Sequence, residues 1–309
     1  MTAPARHALL ATCLAALCAA AGCTSTGPQI WSIGIYAGSA PTDLAPHPDA
    51  KNPVLTASDV TDVPAQFVAD PFMVCDNGTW YMFFEVMNTR TRQGDIGLAT
   101  SDDGLRWRYR RIVLDEPFHL SYPCVFRCAD AIYMVPETHQ AGAVRLYRAE
   151  RFPERWSFVG VLLTGGWLDP TVFAHDGRWW MFASGGDATL YLFCAERPEG
   201  PWRMHPRSPV VTGDAHRARP GGRVVTHDGR LLRWAQDDLP TYGRGVRAFE
   251  IVRLTTEDYE EREVTDVTTP GASGRGWNAE GMHHVDAQRL SDGRWIACVD
   301  GCRLQRPGR

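Results

Sequence analysis

The sequence predicts an all-β chain folded as a five-bladed β-propeller, with strands from its N-terminal side completing the last blade. Three observations carry this reading. One hairpin pattern occurs five times at intervals of roughly 50 residues. A second strand pair follows each of the first four copies, and the half blade missing after the fifth copy is found near the start of the chain. Composition agrees, because 29 Gly, 21 Pro and 11 Trp in 309 residues favour short strands and turns over long helices. With 44% hydrophobic and 22% charged residues, the chain has the balance of a globular protein, not of a disordered or coiled-coil one.

The first element is a targeting segment. Arg6-His7 is followed by an apolar run from Ala8 and then by Ala20-Ala21-Gly22-Cys23, the order expected of a secretory signal. The run of about 14 residues is shorter than the ~20 needed to cross a bilayer. Its end resembles a bacterial lipobox, so residues 1–22 are expected to be removed and Cys23 to carry lipid. Thr24 in place of Asp points to the outer membrane or periplasmic side of the cell envelope. Residues 23–309 are then expected to form one propeller domain, a monomer held to the membrane by its lipid anchor alone. Lys51 is the only lysine beside many arginines, as in a GC-rich bacterial genome, and a net charge of -4 offers no basic field for nucleic acid. Cys75, Cys124, Cys128, Cys194, Cys298 and Cys302 would lie where disulfides can form, in a pairing the sequence leaves open. Their C-x3-C spacings are not those of zinc knuckles.

The inner hairpins are Asp70–Glu85, Tyr122–Glu137, Asp169–Ser184, Arg219–Asp237 and His283–Asp300. Asn77-Gly78, Asp176-Gly177, Asp228-Gly229 and Asp292-Gly293 mark their turns, because tight hairpins need positive φ. The outer pairs begin at Ile96, Val144, Leu190 and Val246, and three carry a tryptophan (Trp107, Trp156, Trp202) at one position. Ile33-Gly-Ile-Tyr resembles Ile96-Gly-Leu-Ala, and Pro53-Val-Leu-Thr resembles Arg111-Ile-Val-Leu, so residues 31–57 are expected to supply the outer half of blade five. Such closure removes open sheet edges.

Antiparallel pairing sets the end of each second strand beside the start of the first. Asp70, Tyr122, Asp169, Arg219 and His283 should therefore ring the channel mouth, with Glu85, Glu137, Ser184, Asp237 and Asp300 beside them. Carboxylates gathered in one pocket raise each other's pKa and cost stability, whereas two across a glycosidic bond are what sugar hydrolysis needs. Trp167 and Trp277 fall outside the blade pattern, in loops leading to this face, where rings can stack on sugars. Arg219 would either grip an anionic group on a ligand or neutralise the acidic ring.

Ala69-Asp70-Pro and Leu168-Asp169-Pro, each followed by a hairpin, resemble the five-bladed clan of the family 43 glycoside hydrolases. That resemblance implies Asp70 as general base and Asp169 as the residue tuning a glutamic acid. A closer resemblance spans nearly all of residues 23–309. Trp80-Tyr-Met-Phe-Phe-Glu85, Phe118-His-Leu-Ser-Tyr-Pro, Arg219-Pro-Gly-Gly-Arg, Pro240-Thr-Tyr-Gly-Arg and Trp277-Asn-Ala-Glu-Gly-Met-His-His-Val-Asp286 are similar to the N-terminal domain of glucosamine inositolphosphorylceramide transferases. Transferase chemistry in that family is assigned to a C-terminal domain without counterpart here, so it is not expected of this chain. The acid of family 43 lies in a later blade, where this chain has Arg219-Pro220. A substitute acid must be Glu137, Glu280 or Glu85, in that order of preference. His283-His284 resembles a channel histidine that helps hold calcium in family 43 enzymes, which makes His284 a candidate calcium ligand, although one imidazole is a poor site for that ion. The expected function is glycoside hydrolysis on a glycan or glycolipid, the alternative a non-catalytic glycan- or glycolipid-binding propeller.

Overall fold

In the computed structural model, which describes residues 27–265 and 267–305, five antiparallel sheets stand in a ring. Blade one consists of Ala65–Asp76, Thr79–Asn88, Gln93–Ser101 and Arg108–Leu114. Blade two is Ser121–Cys128, Ala131–Glu137, Ala143–Arg151 and Arg155–Thr164. Blade three has Leu168–His175, Arg178–Ser184 and Thr189–Ala195, with two short outer pieces, Arg203–Met204 and Val211–Thr212, sharing the edge of its third strand. Blade four runs Val225–His227, Arg230–Asp237, Gly245–Leu254 and Tyr259–Glu263. The expected signal segment, residues 1–22, and the candidate lipidation site Cys23 lie outside the described residues.

Blade five closes the ring as the repeat predicts. Its inner strands, Val285–Arg289 and Trp295–Leu304, are extended by Gln29–Gly38, which pairs along its whole length from Gln29 opposite Leu304 to Gly38 opposite Trp295. The fourth strand differs from expectation. Only Ala45–Pro46 pairs in the sheet, and Leu55 adds a single bridge to Ile33. Pro46, Pro48 and Pro53 remove three amide donors from this stretch. The Asn52 side chain fills the gap, accepting from the Ile35 amide (2.8 Å) and donating to the Ile35 carbonyl (2.9 Å).

The turn signals act as the sequence predicts at Asn77-Gly78, Asp176-Gly177 and Asp228-Gly229, where both residues have positive φ. The recurring outer tryptophans have one task. Trp107, Trp156 and Trp202 each donate their indole N–H, at 3.0–3.1 Å, to a carbonyl three or four residues earlier, pinning the outer turn; Trp107 is buried and the other two are half-buried. The six described cysteines are free thiols; Cys298 lies 3.0 Å from the Pro71 carbonyl.

Two layers of polar contact fasten the blades across the channel. Arg223, just before the inner strand of blade four, pairs with Asp286 of blade five at 2.6 Å and donates to the carbonyls of Val125 (2.8 Å) and Met73 (3.4 Å) in blades two and one. Asp286 in turn accepts the Met73 amide at 2.6 Å. Above this, Tyr122 of blade two shares a hydrogen bond with Thr171 of blade three (2.8 Å) and accepts the Gly222 amide of blade four (2.7 Å).

Candidate active site

The geometry of the site begins with a repeated backbone device. Asp70, Tyr122 and Asp169 each precede a proline and each adopt left-handed φ, at 52°, 45° and 49°. Proline disfavours that conformation in its predecessor, and non-glycine residues adopt it at a cost of about 1–3 kcal/mol. At all three the strand register slips, between Ala69 and Phe72, Ser121 and Cys124, and Leu168 and Thr171. Each Xaa-Pro is thus a β-bulge that re-aims one side chain toward the channel. Because the three stand at equivalent positions in successive blades, the bulges direct Asp70 and Asp169 toward one cavity.

That cavity, about 390 Å³, is lined by Asp70, Glu85, Glu137, Asp169, Arg219 and His283, with Trp31, His119 and Tyr242 among the remaining walls. The cross-strand pairing of Ala69 with Glu85 and of Ser121 with Glu137 brings the ends of the second strands there.

Two charged clusters face each other across the cavity. In one, Arg219 holds Asp169 through two nitrogens at 2.9 and 2.8 Å, and Gln236 donates to the same oxygen at 2.8 Å. The Asp169 amide donates to Glu137 at 3.0 Å, and His139 contacts the other Glu137 oxygen at 2.8 Å. Burial pushes Glu137 up, but the His139 hydrogen bond and the Arg219 guanidinium hold it down at about 2. Burial and Glu137 outweigh the pull of Arg219 and push Asp169 well above the usual carboxylate range; against that direction, three donors on one oxygen, two of them from a guanidinium, lead us to assign it the ionised form.

In the second cluster, Asp300 accepts the amides of His283 (2.9 Å), His284 (3.1 Å) and Asp70 (3.2 Å) and pairs with the His283 ring at 2.6 Å. Burial works against a charge on His283, yet Asp300 raises it to about 9, so it is an imidazolium. Trp31 stacks on that ring at 4.0 Å, with Tyr242 against its edge at 5.3 Å. Asp70 lies 3.9 Å from the imidazolium. Burial raises Asp70 to about 6, His283 pulling it down and Asp300 pushing it up.

Glu85 lines the same cavity and has no arginine or lysine partner among the described residues. Burial first, then the charges of Asp70, Glu137 and Asp169, hold its carboxyl well above the usual range. The Gly94 amide donates to His119 Nδ1 at 2.9 Å, which leaves the ring proton on Nε2, 3.5 Å from Glu85. Burial keeps His119 low and therefore neutral. The cavity thus holds one protonated carboxyl, Glu85, beside one poised carboxylate, Asp70.

Several expected site residues lie elsewhere. Tyr122 is fully buried beneath the cavity as a channel strut. Asp237 points away, to His216 and Arg247 at 2.7 Å each, and Gln236 takes the inward place. Its offset from Leu231 equals that of Glu85 from Trp80, so the repeat itself marks Gln236 and not Asp237. Glu280 is exposed and outside the lining. Trp167 packs edge-on against Tyr191 and Phe193. Trp277 lies over Gly34 and Gly301 of blade five, where any Cβ would strike its ring. Ser184 turns its hydroxyl to the Thr189 carbonyl at 2.9 Å. Of the two roles open to Arg219, the geometry shows the one that neutralises acidic neighbours.

The sequence reading missed Trp31, Tyr242 and Gln236. In the sequence Trp31 stands only at the start of the segment expected to close blade five; ring closure brings it into the cavity lining. Calcium at His284 does not fit the residues present. Its ring is wholly buried between the edges of Phe72 (4.6 Å) and Tyr122 (5.2 Å), with the Asp70 carboxylate 4.0 Å away, whereas calcium takes ~6–8 oxygens at about 2.3–2.6 Å. Asp70, His283 and Asp300 also gather ligand-type atoms within 4.8 Å, but the imidazolium already occupies that place as the cation.

Comparison with known proteins adds the following. The family profile described as the N-terminal part of glucosamine inositolphosphorylceramide transferase 1 matches residues 23–302. Glucosamine inositolphosphorylceramide transferase 1 of Oryza sativa subsp. japonica is 39% identical over 309 aligned residues, covering 92% of this chain and 42% of that protein. The Arabidopsis thaliana protein of the same name is 36% identical over 307, covering 92% and 40%. This chain therefore spans about two-fifths of the length of these relatives. Among solved structures, the catalytic domain of a GH62 α-L-arabinofuranosidase from Coprinopsis cinerea superposes with a TM-score of 0.59 at 14% identity, covering 87% of this chain and 97% of that one, a likeness of fold.

Proposed function

This chain belongs to the family of the N-terminal domain of glucosamine inositolphosphorylceramide transferase, and from that premise we propose that it is a cell-envelope glycoside hydrolase acting on a glycan or glycolipid. The carrying observation is the divergence of two neighbouring carboxyls in one cavity, Glu85 held protonated and Asp70 poised at about 6. Environments that push two carboxyls apart define an acid and a base. Glu85 would protonate the departing glycosidic oxygen, and Asp70, held beside the His283 imidazolium, would activate water or attack the sugar carbon. Glu137, the preferred acid from sequence, is held ionised by its neighbours and suits binding of sugar hydroxyls. Trp31 and Tyr242 offer aromatic walls to a sugar face.

A non-catalytic binding role is favoured by one observation, the replacement of the later-blade acid by Arg219, which is locked onto Asp169. A panel of glycans and glycolipids assayed with wild type and Glu85→Gln separates the two. Turnover by wild type that Glu85→Gln abolishes supports hydrolysis; binding to both proteins without turnover by either assigns the binding role.

The pH profile is a further expected result. Asp70 must be ionised and Glu85 protonated, so kcat/KM should fall as pH drops through about 6. A second fall is expected at higher pH, as Glu85 ionises. A profile flat between pH 5 and 7 would exclude Asp70 as the base.

A further inference from the structure

The outer edges of the five blades are not alike. Tyr259–Glu263 of blade four carries three glutamates and an arginine, and Arg108–Leu114 of blade one carries three arginines. The outer pieces of blades three and five are two residues each. Short or charged edges are the ordinary protection of an open sheet. Blade two departs from this. Its outer strand, Arg155–Thr164, contains the run Phe158-Val-Gly-Val-Leu-Leu163, and Phe158, Val159 and Val161 are 46%, 43% and 51% exposed. Large apolar side chains exposed together mark an interaction surface.

Two observations select the partner. The strand is bulged twice, leaving Val159 and Leu162 without cross-strand partners, and such bulges twist an edge away from further strand pairing. The blade-one outer strand beside it carries three arginines and no acidic residue. Of the nearby carboxylates, Asp103 pairs with Arg106, Glu116 with Arg145, Glu150 with Arg155 and Glu154 with Arg151; Asp62 accepts the Tyr109 hydroxyl and the Ile112 amide, and Asp102 and Asp115 have no ion-pair partner among the described residues. Arg108, Arg110 and Arg111, exposed on the blade-one outer strand that packs beside this edge, have no ion-pair partner among the described residues, nor does Arg148. Two copies meeting here would bring like charges together. Exposed apolar side chains next to unpaired guanidinium groups match an anionic bilayer surface.

We propose that the joined outer edges of blades one and two dock on an anionic lipid surface, Phe158, Val159 and Val161 entering the headgroup boundary and Arg108, Arg110 and Arg111 meeting lipid phosphates. The surface is separate from the acidic cavity, so its test is independent of the hydrolase reading. The full chain carrying Cys23→Ser, so that no acyl anchor contributes, is sedimented with phosphatidylglycerol or phosphatidylcholine vesicles, beside the same chain with added substitutions. Arg108→Gln/Arg110→Gln/Arg111→Gln should weaken binding to the anionic vesicles by at least tenfold, at about fivefold per arginine, and leave binding to neutral ones unchanged. Val159→Ser/Val161→Ser should weaken it severalfold with an unchanged Tm. Equal binding of all variants overturns the proposal. So does a dimer in analytical ultracentrifugation that Val159→Ser/Val161→Ser dissociates, which would give the edge to a second copy of the chain.

Discussion

Asp70→Asn is expected to lower turnover by roughly a hundredfold to ten-thousandfold, the usual contribution of a positioned base, while making the protein more stable at pH 8. Both effects share one cause. Burial first, and then the Asp300 charge, raises the Asp70 carboxyl to about 6 against the pull of the His283 imidazolium. A carboxyl whose folded pKa exceeds its unfolded value binds its proton more tightly in the folded state. Its ionisation therefore costs stability, nothing below about pH 4 and the full amount above about pH 6. A rise of about two units corresponds to ~3 kcal/mol, an upper figure for the gain from a neutral amide. Denaturant titrations at pH 4 and pH 8 read the difference. Wild type and variant should coincide at the lower pH and separate at the higher one. Separation at pH 4 with none at pH 8 would show that Asp70 is not held at a raised pKa.

Arg223→Ala is expected to be the most destabilising single change outside the cavity, by about 3–5 kcal/mol, because it strands a buried charge. Asp286 is wholly buried and Arg223 is its only cationic partner among the described residues. The guanidinium also satisfies carbonyls of Val125 and Met73, so its loss loosens four of the five blades at once. Arg223→Ala combined with Asp286→Ala should recover part of the loss, because the remaining site then holds no unpaired charge. Urea denaturation of the three proteins measures this. A loss below 1 kcal/mol for the single variant would mean that the blades are held by apolar packing alone. Turnover is no guide here, because the pair lies beneath the cavity.

These predictions differ in how far the sequence anticipates them. The hairpin repeat places Asp70 and Glu85 side by side, since antiparallel pairing is a local consequence of the turn at Asn77-Gly78. It does not show that Glu85 is the protonated member. That follows from desolvation and from charges carried by Asp169, Glu137 and Asp300 on other blades. Likewise Asp286 reads as one acidic residue in the last inner strand, and its partner Arg223 is 63 positions away. The unpatterned tryptophans misled for a related reason. Trp167 and Trp277 precede site residues in sequence, but their loops fold back onto blade surfaces, whereas Trp31 reaches the mouth through ring closure.

The sequence by itself determined the number of blades, the hairpin turns at Asn77-Gly78, Asp176-Gly177 and Asp228-Gly229, and the joining of the two ends of the chain. All of these are written in periodicity and turn chemistry, which act between near neighbours. The tertiary structure alone decided which carboxyl keeps its proton, which aromatic rings wall the cavity and that Arg219 serves Asp169. Those outcomes depend on burial and on Coulomb interactions across the channel, between residues that only ring closure brings together.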